Sequence, residues 1–222
     1  MADAAEKKWS EYYESLIKIK PSNIILHFGY ILRVLSFRPK TILEIGCGPA
    51  DHAMFIRKIM PHIKVYLVDN DSEILKKVGE RYKGAIAGTY GIDVLDQKAV
   101  TQLSGFDVVM SQGLLEHFND EDFLKIIANF SSVGKVMVFS IPSNEYEHKD
   151  FGNEILRSKE QVEELLRKQD YKFSVKKYFD VGIRNKLVRI REKDLALLDA
   201  LKYMITASGH LLGVVDYRKK RK

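Results

Sequence analysis

Two glycines, Gly46 and Gly48, and three acidic residues, Glu44, Asp69 and Asp93, give this sequence its clearest chemical pattern. Gly46 and Gly48 directly follow the apolar run TILEI, and apolar residues at helical spacing begin at Ala53. Glycine at the end of a strand lets the backbone approach a ligand, and the N-terminus of the following helix favours a carboxylate or phosphate. Asp69, at the end of the next apolar run, is placed to accept hydrogen bonds from ribose hydroxyls. The pattern predicts a site for a ribose-bearing cofactor.

The spacing after Gly46 argues against a dinucleotide as that cofactor. The dinucleotide fingerprint, G-x-G-x-x-G/A, would place a third small residue at position 51, where this chain has Asp51. The choice of cofactor therefore depends on the rest of the chain.

The middle of the chain alternates short apolar runs with amphipathic helical patterns. Five predicted strands lie in TILEIG, KVYLVD, AIAGTYGI, FDVVMS and KVMVFSI. Pro61 ends the first intervening helix, and Asp71 or Ser72 caps the second. Strands that alternate with helices require crossover connections, so we predict a parallel sheet with helices on both faces.

The two ends of the chain depart from this alternation. The first residues predict one helix, and SNIILHFGYILRVLSF predicts a second, capped by Ser22; both are expected to cover only the end or edge of the sheet. After the fifth strand we expect a polar loop, a helix opened by a capping box of Ser158 and Gln161, and a strand in YKFSVKKYFD. A helix over about residues 193–207 and a strand in HLLGVVDY complete the prediction.

Composition limits the class of protein. A chain of 222 residues with 45% hydrophobic residues can build one sizeable core. Its single cysteine, Cys47, excludes an internal disulfide framework and a multi-cysteine zinc site. The sequence has neither an apolar run long enough to span a membrane nor a secretory signal, so we expect a cytoplasmic protein without membrane contact. The formal net charge is +6, and residues 218–222, RKKRK, supply five positive charges, so the remainder is close to neutral.

The sequence resembles the class I S-adenosylmethionine-dependent methyltransferases. Their first motif is an acidic residue, one spacer and G-x-G-x-G, and EIGCGPA, from Glu44 to Ala50, fits it with alanine in the third glycine position. The resemblance continues through LVDND, GIDVLD and FDVVMSQGLLEHF, from about Thr41 to Ser143. It is closest to the type 11-like branch, which has LEH after the fourth strand.

This resemblance implies a Rossmann-like, seven-stranded, mostly parallel sheet with helices on both faces and an N-terminal helical lid. Residues 1–222 would form a single domain, with the lid over 1–38, the core over 39–217 and a basic tail over 218–222. The implied cofactor is S-adenosylmethionine. The residues assigned to it are Glu44, Gly46, Cys47, Gly48, Asp69, Asn70, Asp93, Val94 and Gln112.

Several of these residues also have structural interpretations. Glu44 could be a buried acid satisfied by loop N–H groups, and Asp69 could be a helix cap. Asp93 matches the family's adenine-binding acid, but Asp96 is an alternative and the stretch DVLD could simply cap a helix. Cys47 is read as a small spacer rather than a nucleophile.

Methyl transfer from a sulfonium is an in-line displacement, so the protein must mainly align donor and acceptor, exclude water and accept a proton where needed. His117 in LLEHF is the first candidate base, although it could instead order its loop. Tyr146 and His148 in the later loop, and Tyr12 and Tyr13 on the lid, are candidate substrate-side residues.

Other subclasses of methyltransferase fit less well. SQGL replaces the N/D-P-P-Y/F motif typical of adenine-N6 and glutamine-amide methyltransferases, and Cys47 lies on the cofactor side, away from a covalent nucleophile's position. Metal-assisted relatives with LEH carry a further glutamate where this chain has Gly113. We therefore predict no metal.

The resulting hypothesis is methyl transfer to a small-molecule acceptor, at oxygen or nitrogen. The first alternative is an RNA or protein methyltransferase that contacts phosphates through the basic tail and through Arg184, Lys186, Arg189 and Arg191. A non-enzymatic cofactor binder is the second alternative. The sequence leaves the acceptor and the oligomeric state open.

Overall fold

A seven-stranded sheet forms the centre of this computed structural model, which describes residues 21–103, 105–146, 153–178 and 209–220. The strand order is β3-β2-β1-β4-β5-β7-β6. The strands are β1 (Thr41–Ile45), β2 (Lys64–Asp69), β3 (Gly88–Gly91), β4 (Phe106–Gln112), β5 (Gly134–Pro142), β6 (Tyr171–Lys177) and β7 (His210–Lys220). Strands β1 to β5 are parallel, whereas β7 runs antiparallel to both β5 and β6. The fold is therefore the predicted Rossmann-like, mostly parallel sheet.

Strands β1 and β4 lie side by side at the middle of this order. The chain proceeds from β1 outward to β2 and β3, then returns to β4 and continues outward on the other side. In open parallel sheets a ligand binds where the order reverses, beyond the carboxyl ends of the strands. This point lies between the loops that follow β1 and β4.

Seven α-helices, numbered over the described residues, connect and cover the strands. They are α1 (Pro21–Leu26), α2 (Phe28–Leu35), α3 (Asp51–Ile59), α4 (Ser72–Arg81), α5 (Gln97–Val100), α6 (Asp120–Asn129) and α7 (Lys159–Arg167). Asp71 caps α4 by accepting hydrogen bonds from the N–H groups of Glu73 and Ile74. The predicted capping box of Ser158 and Gln161 opens α7. Short 3₁₀ turns lie at Leu115–His117 and Phe130–Ser132.

The sheet is buried on both faces. Leu43 and Ile45 belong to a core shared with α6 and α7, whereas Ile42, between them, belongs to the core shared with α2, α3 and α4. Side chains of a strand alternate between faces, so Glu44 lies on the same face as Ile42. This alternation brings Glu44 beneath α2 and α3.

Helices α1 and α2 differ from their predicted arrangement. Tyr30, Ile31 and Val34 of α2 are fully buried in the core shared with Ile42, so α2 packs on the face of the sheet and not only at its end or edge. Ser22 is not a cap: Pro21 begins α1, and His27 separates α1 from α2. Proline suits the first helical position because its missing N–H would have no helical partner there.

The carboxyl-terminal strand is longer than predicted. β7 continues to Lys220, which pairs with Tyr171 of β6. The Arg218 guanidinium contacts the Asp216 carboxylate at 2.8 and 2.9 Å. Three of the five residues assigned to a basic tail over 218–222 therefore lie in the sheet, and two of them, Arg218 and Lys219, are ion-paired with Asp216.

Some sequence-based predictions lie outside the described residues. They are the helix over residues 193–207, the N-terminal positions Tyr12 and Tyr13, His148, and the basic residues from Arg184 to Arg191. In the described part of the chain, no helix is long and apolar enough to cross a membrane.

Candidate cofactor site

The loop between β1 and α3 adopts left-handed backbone conformations at three positions. Gly46, Gly48 and Ala50 have φ values of 59°, 47° and 57°. A Cβ atom on Gly46 would also lie 2.6 Å from Cδ1 of Leu114, which follows β4. The chain thus needs glycine at position 46 both for the turn and for the close approach of the β1 and β4 loops.

Ala50 carries a side chain where the backbone favours glycine. A left-handed φ costs an L-residue roughly 1–2 kcal/mol. Glycine avoids this cost but loses more conformational entropy on folding, so the net gain from glycine is smaller. We expect Ala50→Gly to stabilise the protein by up to about 1 kcal/mol, measured by chemical denaturation without cofactor. Ala53→Gly in the same helix, where the backbone is helical, should instead destabilise. A loss of stability in Ala50→Gly would contradict the assigned strain.

Asp69 ties the β1 loop to the β2 loop. The Gly48 N–H donates to its Oδ2 at 3.0 Å, and the Asp71 N–H donates to its Oδ1 at 3.0 Å. The side chain is buried, which raises its pKa above the ordinary value for aspartate. Asp69 is therefore not a helix cap, since Asp71 caps α4. A carboxylate has about four acceptor positions, which leaves capacity for a ribose hydroxyl.

Glu44 lies beneath the same loop and is also buried. The Ala53 N–H, in the first turn of α3, donates to it. This contact substitutes for a missing cap, because Ala50 at the N-cap position of α3 has no side-chain oxygen. Burial first, and then the nearby carboxyls of Asp51 and Asp69, raise the pKa of Glu44 to about 8.

The buried carboxyl groups beneath the glycine loop fit a cofactor that carries an ammonium group. Several buried polar atoms of the described residues lack a hydrogen-bond partner, and those at the carboxyl ends of β1 and β4 are Glu44 Oε2 and Ser111 Oγ. Buried polar atoms are almost always paired, so an unpaired carboxylate oxygen beside two other carboxyls favours a cationic ligand. S-adenosylmethionine carries such an ammonium group as well as two ribose hydroxyls. Glu44 and Asp69 are the residues suited to hold these groups.

Asp93 and Asp96 follow β3, whose last residue, Gly91, pairs with Asp69. Asp96 is the N-cap of α5 and accepts from the N–H groups at positions 98 and 99. Asp93 is exposed, and its Oδ1 accepts from the Leu95 N–H at 2.9 Å. Because the Asp96 carboxylate is occupied in capping α5, Asp93 is the better candidate to bind an amino group of the cofactor. Val94 beside it is buried, and its carbonyl accepts from Asn129 Nδ2 at 2.9 Å.

The remaining predicted cofactor residues surround the same loops. Asn70 is exposed next to Asp69, and Gln112 ends β4 opposite Ser140 of β5. Cys47 is buried, its N–H donates to the Val68 carbonyl at 3.0 Å, and burial raises the pKa of its thiol. A buried thiol that resists ionisation favours the spacer interpretation.

His117, the predicted base, is held by a neighbouring loop. Its Nδ1 lies 2.6 Å from Asn153 Oδ1, and the Ile155 N–H donates to the Glu116 carbonyl at 2.7 Å. Burial lowers the pKa of His117. These contacts favour the loop-ordering role that the sequence left open. Within the described ranges, no three His, Cys, Asp or Glu side chains are arranged to hold a metal ion.

Sequence reasoning missed a second group of polar residues close to this site. We call it the histidine–tyrosine cluster; it consists of His27, His52, His210, Tyr178 and Ser140. All five are buried, and they come from five separate parts of the chain. One signal was available, because His27 interrupts an otherwise apolar helical run.

Comparisons with known proteins agree with this geometry. Residues 42–136 match a family profile described as a methyltransferase domain. A search of curated proteins finds no match to the sequence.

Three solved structures share the fold at low sequence identity. A chain of the complex between the Haloferax volcanii Trm112 methyltransferase activator and a methyltransferase has 13% identity and a TM-score of 0.69, covering 96% of this chain and 99% of that chain. The methyltransferase domain of bacterial CtHen1-C has 14% identity and a TM-score of 0.64, covering 88% and 98%. The plantazolicin methyltransferase BpumL, solved with S-adenosylhomocysteine, has 15% identity and a TM-score of 0.61, covering 97% and 91%.

The matched residues include nearly all of β1, the glycine loop and Asp69, which form the candidate cofactor site. Methyltransferase domains of this kind use S-adenosylmethionine, and the buried carboxyl groups of Glu44 and Asp69 fit that cofactor. Together with the sheet order, these findings show that the chain carries an S-adenosylmethionine-dependent methyltransferase domain, matched over residues 42–136, in a Rossmann-like methyltransferase fold.

Proposed function

We propose that this methyltransferase acts on a small molecule and transfers the methyl group to oxygen or nitrogen. The observation that carries the proposal is the chemistry beyond the carboxyl end of β5. The buried polar side chains there are two imidazole rings, a phenol ring and a hydroxyl, namely His27, His210, Tyr178 and Ser140. Such groups suit a compact polar acceptor, whereas a nucleic-acid backbone is held by exposed lysine and arginine.

The cofactor supplies a methyl group on a positively charged sulfur, which is a good leaving group. The protein's own contribution is to hold and align. The Gly46–Gly48 turn brings backbone close to the ligand, Asp69 fixes the ribose and Glu44 the ammonium group. Burial of these carboxylates excludes water from the donor end, and a fixed donor lowers the entropic barrier to an in-line attack.

Methylation of RNA or protein is the alternative function. Its main support, the basic carboxyl terminus, is weakened by the pairing of Arg218 with Asp216 and by the position of Lys219, 3.8 Å from the same carboxylate. BpumL, similar in fold, has also been solved with a monoazolic desmethylPZN analogue and S-adenosylhomocysteine, which supports a compact acceptor here.

A labelling experiment distinguishes these acceptor classes. The protein is incubated with cofactor carrying a tritiated methyl group and, separately, with the small-molecule, RNA and protein fractions of a cell extract. We expect label in the small-molecule fraction, on oxygen or nitrogen. Label confined to the RNA or protein fraction would contradict the proposal.

A matched pair of glycine variants controls this experiment. Gly46 and Gly84 both have positive φ, but a Cβ on Gly84 meets no atom within 4 Å, whereas a Cβ on Gly46 meets Leu114. Gly46→Ala should abolish labelling because the loop must move. Gly84→Ala should retain it, with a stability loss of about 1 kcal/mol from the backbone alone.

A further inference from the structure

The histidine–tyrosine cluster is a connected group rather than a set of separate buried rings. The Tyr178 hydroxyl lies 2.6 Å from His27 Nδ1 and 2.7 Å from Ser140 Oγ. The His27 ring lies edge-to-face against His52 and His210, with centroid distances of 5.2 and 5.0 Å. A serine, a tyrosine and three imidazoles are therefore in contact within one buried volume.

The cluster lies at the end of the sheet where the cofactor site is. His52 is in the first turn of α3, immediately after the glycine loop. Ser140 of β5 pairs with Gln112, the last residue of β4, and its carbonyl accepts from the Gly113 N–H at 3.3 Å. His210 begins β7 opposite Pro142, the last residue of β5. The cluster thus borders the switch point on the β5 side.

Packing alone does not call for these residues. Val136 and Val138 precede Ser140 on the same face of β5 and are buried in the apolar core with Val214 of β7. The face changes from aliphatic to polar only at its carboxyl end. Burying imidazole and hydroxyl groups is costly unless they are paired, and clusters of perturbed titratable groups are concentrated at functional sites.

The environment keeps the central imidazole uncharged. Burial first, and then the neighbouring His52 and His210, lower the pKa of His27 well below its ordinary value. Within the described part of the chain, the groups facing His27 are His52 from α3, His210 from β7 and Tyr178 after β6, and Tyr30 of α2 packs against His52. His27 is therefore neutral near neutral pH, and its unprotonated ring nitrogen can accept a hydrogen bond or, transiently during the reaction, a proton.

We propose that the histidine–tyrosine cluster is the acceptor end of the active site, where Tyr178 and His27 remove the proton from a hydroxyl acceptor. This inference rests on the proposed small-molecule function and narrows it to oxygen. Tyr178 contacts the acceptor, while His27 acts through Tyr178 and Ser140 positions the tyrosine hydroxyl.

The step balances without a further reactant. The acceptor oxygen forms its new bond to the methyl carbon, and the carbon–sulfur bond breaks with its electron pair kept by sulfur. The acceptor O–H proton passes to the Tyr178 oxygen as the tyrosine proton passes to His27 Nδ1. The resulting imidazolium, destabilised by burial and by two neighbouring imidazoles, returns its proton to water after the product leaves.

The test measures tritium transfer into the small-molecule fraction of a cell extract over a range of pH. For the wild-type protein we expect a transfer rate that does not change with pH at pH values above the lowered pKa of His27. In His27→Asn and Tyr178→Phe we expect a loss of roughly a hundredfold or more near neutral pH. The residual rate should rise roughly tenfold per pH unit, because only acceptor that is already ionised reacts. Product analysis should find the methyl group on oxygen.

The controls separate a role in proton transfer from a role in folding. His62→Asn makes the same change at an exposed position and should match the wild type. Affinity for S-adenosylhomocysteine, measured by calorimetry, should stay within roughly threefold in all variants. If His27→Asn does not fold, Tyr178→Phe, which keeps the ring, carries the test.

The results that would contradict this inference differ from those that would contradict the proposed function. Label on nitrogen, or variants that keep the wild-type rate and pH profile, would overturn this inference and leave small-molecule methylation intact. Wild-type label confined to RNA or protein would overturn the proposed function and this inference with it.

Discussion

Replacing Asp69 by alanine is expected to weaken S-adenosylhomocysteine binding at least tenfold. The carboxylate is buried and keeps acceptor capacity beyond the loop N–H groups that it already binds. A hydrogen bond to a charged group contributes roughly 1.5–3 kcal/mol, so losing the ribose contacts removes roughly 2–4 kcal/mol of binding. The variant should also lose folding stability, because the Gly48 and Asp71 N–H groups lose their partner. Calorimetry and chemical denaturation measure the two effects.

Asp71→Ala is the matched control for this prediction. Asp71 is two residues away and caps α4 through the N–H groups of Glu73 and Ile74. Its loss should lower stability by about 1 kcal/mol and leave cofactor affinity unchanged. Equal affinities in Asp69→Ala and the wild type would show that Asp69 only braces the two loops.

Glu44→Gln is expected to change stability and affinity in opposite directions. The folded chain holds the Glu44 proton more tightly than the unfolded chain, since burial raises the pKa to about 8. Stability is therefore fully present below the ordinary pKa of glutamate and is lost as pH rises from there to about 8. A neutral amide removes that loss, so Glu44→Gln should melt at a higher temperature than the wild type at pH 8. It should nevertheless bind S-adenosylhomocysteine more weakly, because the amide brings no charge to the ammonium group.

The same carboxyl makes cofactor binding pH-dependent in the wild type. If Glu44 must ionise to receive the ammonium group, binding releases one proton, and affinity should rise roughly tenfold per pH unit up to about pH 8. Glu44→Gln should show a flat dependence over the same range. Calorimetric titrations in buffers of different ionisation enthalpy count the released proton. A wild-type affinity that does not vary with pH would contradict the assignment of Glu44.

Local sequence signals were sufficient to predict the glycine loop after β1 and the strands around it. The β-branched runs predicted β1, β2, β4 and β5, because a strand buried on both faces reads as a continuous apolar segment, whereas β3 is half exposed and gave a weaker signal. Gly46 and Gly48 were interpretable because a left-handed turn beside a ligand needs glycine, and both have the expected positive φ. Ala50 shows the limit of the pattern, since the backbone there is left-handed although the residue is not glycine.

The histidine–tyrosine cluster could not be predicted because its contacts join residues that are distant in sequence. His27 and Tyr178 are 151 residues apart, and Tyr178 and Ser140 are 38 apart. No periodicity or spacing reports such a pair. The same reason explains why α2 was expected at an edge: its apolar stripe predicts burial but not the surface against which it packs. His117, by contrast, was conspicuous in sequence, yet its contact with Asn153 fits a loop-ordering residue.

The central claim is that the loop after β1, closed by Asp69 and underlain by Glu44, binds S-adenosylmethionine. Its most direct test is a calorimetric titration of the purified wild-type protein with S-adenosylmethionine at pH 8, where Glu44 is close to ionised. We predict saturable binding of one cofactor molecule per chain, with competition by S-adenosylhomocysteine. A folded protein that shows no saturable binding of either compound would contradict the claim.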